Sequence, residues 1–226
     1  MTRTAYQHSL DELRHHLLVL GALVQNRLRQ GLRALVQHDA ATGTLVQKGD
    51  EEIDRATTSI EQTCIDLLTL QQPVAGDVRF VTAAFRIVTD LERIGDLAVN
   101  LADYATDSET LSMVPPSRIE QVGELGVAML RDALQALADG NVFLAQSVVR
   151  RDDELDQLAW RTTKDFLEAM HQAGRRAWDD ATARRHAEEA LPILLSMRDL
   201  ERVGDHAVNI ARRVVYIVTG SLPAKD

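Results

Sequence analysis

Residues 90–102 read DLERIGDLAVNLA, and residues 199–211 read DLERVGDHAVNIA. Ten of thirteen positions are identical at an offset of 109. Within the first copy, Leu91, Ile94, Ala98 and Leu101 recur at three- and four-residue steps, the spacing of one helix face. Glu92 and Asp96 stand four apart, so they share another face, and Asn100 continues it one turn on. Glu201, Asp205 and Asn209 repeat the arrangement. Each copy also carries a glycine in mid-helix, Gly95 and Gly204, at a cost of ~1 kcal/mol relative to alanine.

Two further matches extend the repeat upstream. LRQGLRAL at 28–35 resembles LRDALQAL at 130–137, and DEEID at 50–54 resembles DDELD at 152–156, both at an offset of 102. The order is the same in both halves, so a unit of three helices is used twice. The offset grows by seven between the second and third matches, which places about seven extra residues near 171–182. The breakers agree with this division. Gln71-Gln72-Pro73 ends one helical segment and Val114-Pro115-Pro116-Ser117 another. Asp39 to Gly43 is a weaker break, and Pro223 lies in the tail. In the second half the segments are roughly 117–139, 141–173 and 180–219. Ser117 with Glu120 reads as a capping box, and Pro192 as a kink or a start. The fold expected is all-α: two tandem three-helix bundles of six long helices, residues 1–114 and 115–226, related by a pseudo-twofold axis.

Composition narrows the function. Glycine (12) and proline (5) are scarce and aromatics are only 4%, which argues against a loop-rich β fold. Net charge is −9, from 25 Lys and Arg against 34 Asp and Glu, so the chain lacks the basic footprint of a nucleic-acid binder. It suits cations and basic partner surfaces instead. One cysteine, Cys64, excludes an internal disulfide framework and a Cys-based zinc site. The opening MTRTAYQHSLDELRHH carries no apolar signal segment, and a soluble cytoplasmic protein is expected.

The acids are the strongest candidates for chemistry. Like charges at i, i+4 repel by ~0.2–0.5 kcal/mol, so a pair kept in both halves beside a costly glycine suggests that something offsets the repulsion. Two carboxylates one turn apart suit a hard or borderline cation, with the bare glycine leaving room for water, an ion or a neighbouring helix. Asp50/Asp54 and Asp152/Asp156 repeat the pair on the second helix of each half. Helices two and three of a bundle are neighbours, so each half can bring its four acids together: Asp50, Asp54, Glu92 and Asp96 in the first, Asp152, Asp156, Glu201 and Asp205 in the second. The bland alternative is a solvated acidic face. Asp103 extends the first face at i+7 from Asp96, but its counterpart is Arg212.

Lesser candidates weaken. Glu12 and His15 form a single ExxH where a ferritin-like di-iron site needs two. His206 is an auxiliary ligand at best. Cys64, Trp160 and Trp178 read as packing residues. Arg175-Arg176 and Arg184-Arg185-His186 read as a solvated rim. No phosphate loop, GxSxG or HExxH occurs.

The doubled ER[IV]GDxAxN motif in an all-α chain resembles the PhoU family of phosphate-transport regulators. Gln72-Pro73-Val74-Ala75-Gly76-Asp77-Val78-Arg79 is similar to that family's QPxAxDLR signature, and Asp54 followed by Glu61 to its second-helix pattern. The second half lacks the QPxAxDLR stretch, having Trp178-Asp179-Asp180 there. The resemblance implies metal clusters on the E/DxxxD motifs, which map onto Glu92/Asp96 and Glu201/Asp205 with Asp50/Asp54 and Asp152/Asp156 opposite. The metal would be a divalent or trivalent ion: iron, zinc, manganese or magnesium. It also implies a non-enzymatic negative regulator of phosphate uptake and of the phosphate-starvation regulon. Such a protein links the phosphate ABC transporter ATPase to a phosphate-sensor histidine kinase, meets the membrane only through these partners, and forms a homodimer. A carboxylate-bridged metalloenzyme and a purely structural scaffold are the alternatives.

Overall fold

The computed structural model describes residues 3–69, 74–105, 114–175 and 178–221, apart from the side chains of Ala40 and Asp50. Every regular element among them is a helix: α1 (Arg3–Gln37), α2 (Ala40–Lys48), α3 (Asp50–Thr69), α4 (Ala75–Asp103), α5 (Pro116–Asp139), α6 (Val142–Arg150), α7 (Asp152–Gly174) and α8 (Asp180–Thr219). This is the all-α duplicated plan of six rods, with the second rod of each half broken once, into α2/α3 and α6/α7. None of the described helices is long and apolar enough to cross a membrane. Gln71, Gln72, Pro73, Arg176 and Pro223, read above as breakers, signature or rim, lie outside the described residues.

The helices start and stop for local reasons. Asp39 caps α2, its carboxylate accepting from the backbone N–H of Ala41 and Thr42 at 3.1 Å. The equivalent Asn141 caps α6 by accepting from Leu144 N–H at 3.0 Å. Both side chains satisfy amides that a helix start leaves unpaired. The expected break at 39–43 is therefore sharper and earlier, with His38 at φ 54° and Gly43 inside α2. The capping box at Ser117 does not form. Pro116 occupies the first helical position, where its missing N–H costs nothing, and α5 begins there with no side-chain cap. Pro192 marks no start, because α8 runs through it for 40 residues. The extra residues of the second half lengthen helices: α7 and α8 have 23 and 40 residues against 20 and 29 in α3 and α4.

Packing follows the apolar stripes. Leu13, Leu17, Leu20, Val24, Leu28 and Leu35 of α1 are buried against α4 and α3. Within the second half α5 packs on α8, α6 and α7. The halves share one core, joined where α1 meets α5 and α4 meets α8. Cys64 lies fully buried in this core, with its thiol pushed up to about 12 by burial and by Glu61. Trp178 is a packing residue, its ring 4.4 Å from that of the buried His186. His186 thus leaves the solvated rim, pairing with Glu189 at 3.4 Å. Trp160 is not a packing anchor, being 67% exposed on α7, because the buried stripe of that helix runs through Leu155, Ala159, Thr162 and Phe166.

The two mid-helix glycines have one cause. A Cβ on Gly204 would stand 2.3 Å from Leu155 Cδ2, and one on Gly95 would stand 3.1 Å from Ile53 Cδ1. Ile53 and Leu155 are equivalent residues of the repeat. Each glycine therefore lets the acidic helix of its half sink onto α4 or α8. Of the expected occupants of that space, a neighbouring helix fills it.

Candidate functional site

In the second half α7 lays Asp152 and Asp156 beside Glu201 and Asp205 of α8. Asp152 is half-buried, and its Oδ1 has no hydrogen-bond partner. Burial, then the charges of Asp156 and Asp205, push its carboxyl up to about 6. Burial and Asp205 raise Asp156, and burial, Asp156 and Asp205 raise Glu201. The ionisation of Asp152, Asp156 and Glu201 is thus opposed by burial and by the like charges around them, Asp205 among those charges.

The first half is laxer. Glu92 is raised by burial and by Asp96, with lesser contributions from Asp54 and Glu61 and relief from Arg93. Asp96 is tied to Arg93 at 3.1 Å. Asp54 is exposed on α3, and the side chain of Asp50 lies outside the described residues. Among the described residues no three His, Cys, Asp or Glu side chains stand as placed in a metal-holding group. Closing either cluster around an ion requires side-chain rotation. The donor set still fits a hard cation in the second half: it is all oxygen, strongly anionic, and includes one buried oxygen with no partner.

The asparagines leave the acidic face. Asn100 Nδ2 donates to Asp199 Oδ2 at 3.1 Å, and the Tyr104 hydroxyl donates to the same oxygen at 3.2 Å. In mirrored fashion Asn209 Nδ2 donates to Asp90 Oδ1 at 3.2 Å, while His206 Nδ1 lies 2.9 Å from that oxygen. A four-residue step turns about 40° beyond a full helical turn, so two steps from Glu92 carry Asn100 about 80° round, onto the α4–α8 seam. The same seam takes His206, so it does not serve as an auxiliary ligand. Asp90 and Asp199, which the reading of the motif passed over, are equivalent residues that tie the halves together. Asp199 is 3% exposed, and its partners plus Arg202 at 3.7 Å offset its desolvation. Their signal was present: both are identical acids inside the longest match, each followed directly by a buried leucine, Leu91 and Leu200.

A second duplicated contact holds α1 to α5. A Cβ on Gly21 would fall 2.4 Å from Leu134, and one on Gly123 would fall 2.3 Å from Leu32. Gly21 and Gly123 are equivalent, as are Leu32 and Leu134. Asp103, expected at the end of the first acidic face, instead accepts a hydrogen bond from Gln47 and ties α4 to α2.

Comparison with known proteins agrees with this architecture. A family model described as PhoU domain matches twice, over residues 17–105 and 119–214. The phosphate-specific transport system accessory protein PhoU homolog of Pseudomonas putida is 32% identical over 218 residues, covering 96% of this chain and 81% of the relative. The protein so named in Synechocystis sp. is 36% identical over 222 residues, covering 96% and 93%. The crystal structure of PhoU from Pseudomonas aeruginosa superposes with a TM-score of 0.81 at 30% identity, over 96% of this chain and all of that one. That of the phosphate transport system regulatory protein PhoU from Streptococcus pneumoniae gives 0.82 at 28% identity, over 97% and 100%. With both halves matched and relatives aligned along nearly the whole length, the chain belongs to the PhoU family.

Proposed function

We propose that the chain is a negative regulator of phosphate uptake and phosphate-starvation signalling, acting without turnover as a cation-binding adaptor between a phosphate ABC transporter and its sensor histidine kinase. The observation that carries this reading is the paired carboxylate cluster, built twice, in a chain whose relatives are named as accessory proteins of phosphate transport. In the second half Asp152, Asp156, Glu201 and Asp205 would hold the ion, and in the first Asp54, Glu92 and Asp96, with Asp50 as the fourth acid of the sequence pattern. A bound cation would cancel like-charge repulsion and lock the second helix of each half to the third. The chain's own residues do the rest: Gly95 and Gly204 set the helix spacing, and the Asp90 and Asp199 ties fix one cluster relative to the other. The metalloenzyme alternative loses its one imidazole beside the acids, because His206 is engaged by Asp90.

The surface suits partners of opposite charge. With a net charge of −9, contact with a basic face should be electrostatically assisted. Raising salt from ~50 mM to ~500 mM shortens the Debye length from ~14 Å to ~4 Å, so association should slow markedly. The deciding experiment is a phosphate-starvation reporter in a strain deleted for this protein. The reporter should stay on in rich phosphate and be silenced by the wild-type chain. Glu201→Ala with Asp205→Ala should repress poorly. Normal repression in the deletion strain would overturn the regulatory reading. Elemental analysis separates the metal claim: Glu92→Ala with Asp96→Ala should empty the first cluster and leave the second occupied, and unchanged metal content would sink that assignment.

A further inference from the structure

The two clusters differ at one place that the duplication leaves unequal. Seven residues beyond Asp96 the first half has Asp103, and seven beyond Asp205 the second half has Arg212. Two helical turns bring residue i+7 back onto nearly the same face. Asp103 is exposed and engaged by Gln47, away from the acids. Arg212 is half-buried, and its Nε has no hydrogen-bond partner. The partnerless oxygen of the second cluster, Asp152 Oδ1, sits against α8 one turn beyond Leu200, at 3.6 Å from the Cβ position of Gly204. Long side chains in a helix lean toward its N-terminus, and from Arg212 this oxygen lies in that direction along α8.

We infer that Arg212 is a resident counter-cation of the second carboxylate cluster and lowers that cluster's affinity for a divalent metal by competing for Asp152. The inference rests on the cation-binding reading above. Three observations favour it. Arg212 stands two turns beyond Asp205 on the same face of α8, half-buried and with its Nε unpartnered. It brings a positive charge into a partly desolvated site, where charges act more strongly than at the surface. The basic residue paired with the first cluster, Arg93, is of a different kind: its pair with Asp96 has side chains 54% and 42% exposed, so solvent screens it. Its equivalent Arg202 leans to Asp199 and leaves Asp205 free of it. The second cluster therefore carries its own cation at one end, and an incoming ion must share Asp152 with it or displace it.

The test titrates manganese chloride into Glu92→Ala/Asp96→Ala protein, in which only the second cluster remains, and reads bound Mn²⁺ by calorimetry and electron paramagnetic resonance. Arg212→Gln should tighten binding by about tenfold, the effect of removing one positive charge near a divalent ion in a partly screened site. Arg212→Met, which keeps the stem packed, should act alike, and Arg212→Lys should stay close to the parent. Unchanged or weaker Mn²⁺ binding in both neutral variants would overturn the inference while leaving the cation reading intact. Absence of Mn²⁺ binding at the second cluster in the parent and in every variant would overturn both.

Discussion

The first and second halves break their second rod at the same place and hold the break in opposite ways. In the first half Arg27 of α1 reaches across to the bare C-terminal end of α2. Its guanidinium donates to the carbonyls of Leu45 at 3.0 Å, Val46 at 3.3 Å and Gly49 at 3.3 Å. Gly49 has no side chain because that guanidinium occupies the space, 1.9 Å from where a Cβ would stand. In the second half the equivalents of Arg27 and Gly49 are Met129 and Arg151. The arginine now sits at the break and points back to α5, donating to Asp132. Against its burial, hydrogen bonds from Arg131 and Arg151 hold the Asp132 carboxyl below its ordinary range. The equivalent of Asp132 in the first half is Gln30. The geometry of the break is thus retained while the direction of the cation is reversed. What the fold needs there is a fixed angle between a short helix and the acid-bearing helix after it, and two electrostatic devices supply it.

Arg27→Met should be the most damaging single change, costing about 3 kcal/mol, because three carbonyls at the α2–α3 break lose a charged donor. Gly49→Arg alone should also destabilise. Grafting the second-half device whole, as Arg27→Met, Gln30→Asp and Gly49→Arg together, should recover most of the loss in denaturant unfolding. A triple variant no better than the sum of its parts would show that the two devices are not interchangeable. A smaller effect separates the glycines. Gly204→Ala should cost about 1–2 kcal/mol, since Leu155 has to move within a packed core, whereas Gly95→Ala should be near neutral, helix propensity offsetting a milder contact with Ile53. Equal shifts in melting temperature would erase this difference between the halves.

The smallest effect concerns pH. Asp152 ionises near 6 in the fold and near 3.8 in the unfolded chain, so between these values the folded state holds the extra proton. Its contribution to stability is therefore present at low pH and lost as pH rises through the window from about 4 to about 6. Asp156, Glu201 and Glu92 shift in the same direction. Asp152→Asn should raise the melting temperature of metal-free protein by about 2–4 °C at pH 7.5 and leave it unchanged near pH 4, on a screened effect of about 1 kcal/mol. Asp54→Asn should do less at either pH, because Asp54 is exposed.

Long apolar periodicity made most of the fold readable. The segments 117–139, 141–173 and 180–219 lie within a few residues of α5, α6 with α7, and α8. The break at Arg151 was not readable, because that residue keeps helical backbone angles (φ −82°, ψ −7°) and no turn residue announces it. The approach of Asp152 and Asp156 to Glu201 and Asp205 was legible because i, i+4 spacing and the neighbourhood of helices two and three need no knowledge of how the halves meet. Asn100, Asn209 and His206 were misplaced, and Asp90 and Asp199 overlooked, for the converse reason. Their roles depend on which faces of α4 and α8 touch, and a single helix pattern does not carry that information. Trp160 misled because a large aromatic residue is usually buried, and here its position on α7 falls one residue outside the stripe.

The ties across the seam occur in matched pairs: Asp90 with Asn209 and Asp199 with Asn100, Gly21 with Leu134 and Gly123 with Leu32. In each of these pairs a contact from residue i of one half to residue j of the other is answered by a contact from the counterpart of j to the counterpart of i, while the Tyr104 and His206 contacts are unmatched additions. That rule defines an isologous interface between identical subunits. The seam is thus a dimer interface enclosed within one polypeptide, and a protein half this size would use the same apolar and polar surface to pair with a second copy of itself. Fusion makes that pairing independent of concentration, and it freed each half to vary alone, as the placement of its arginines already shows.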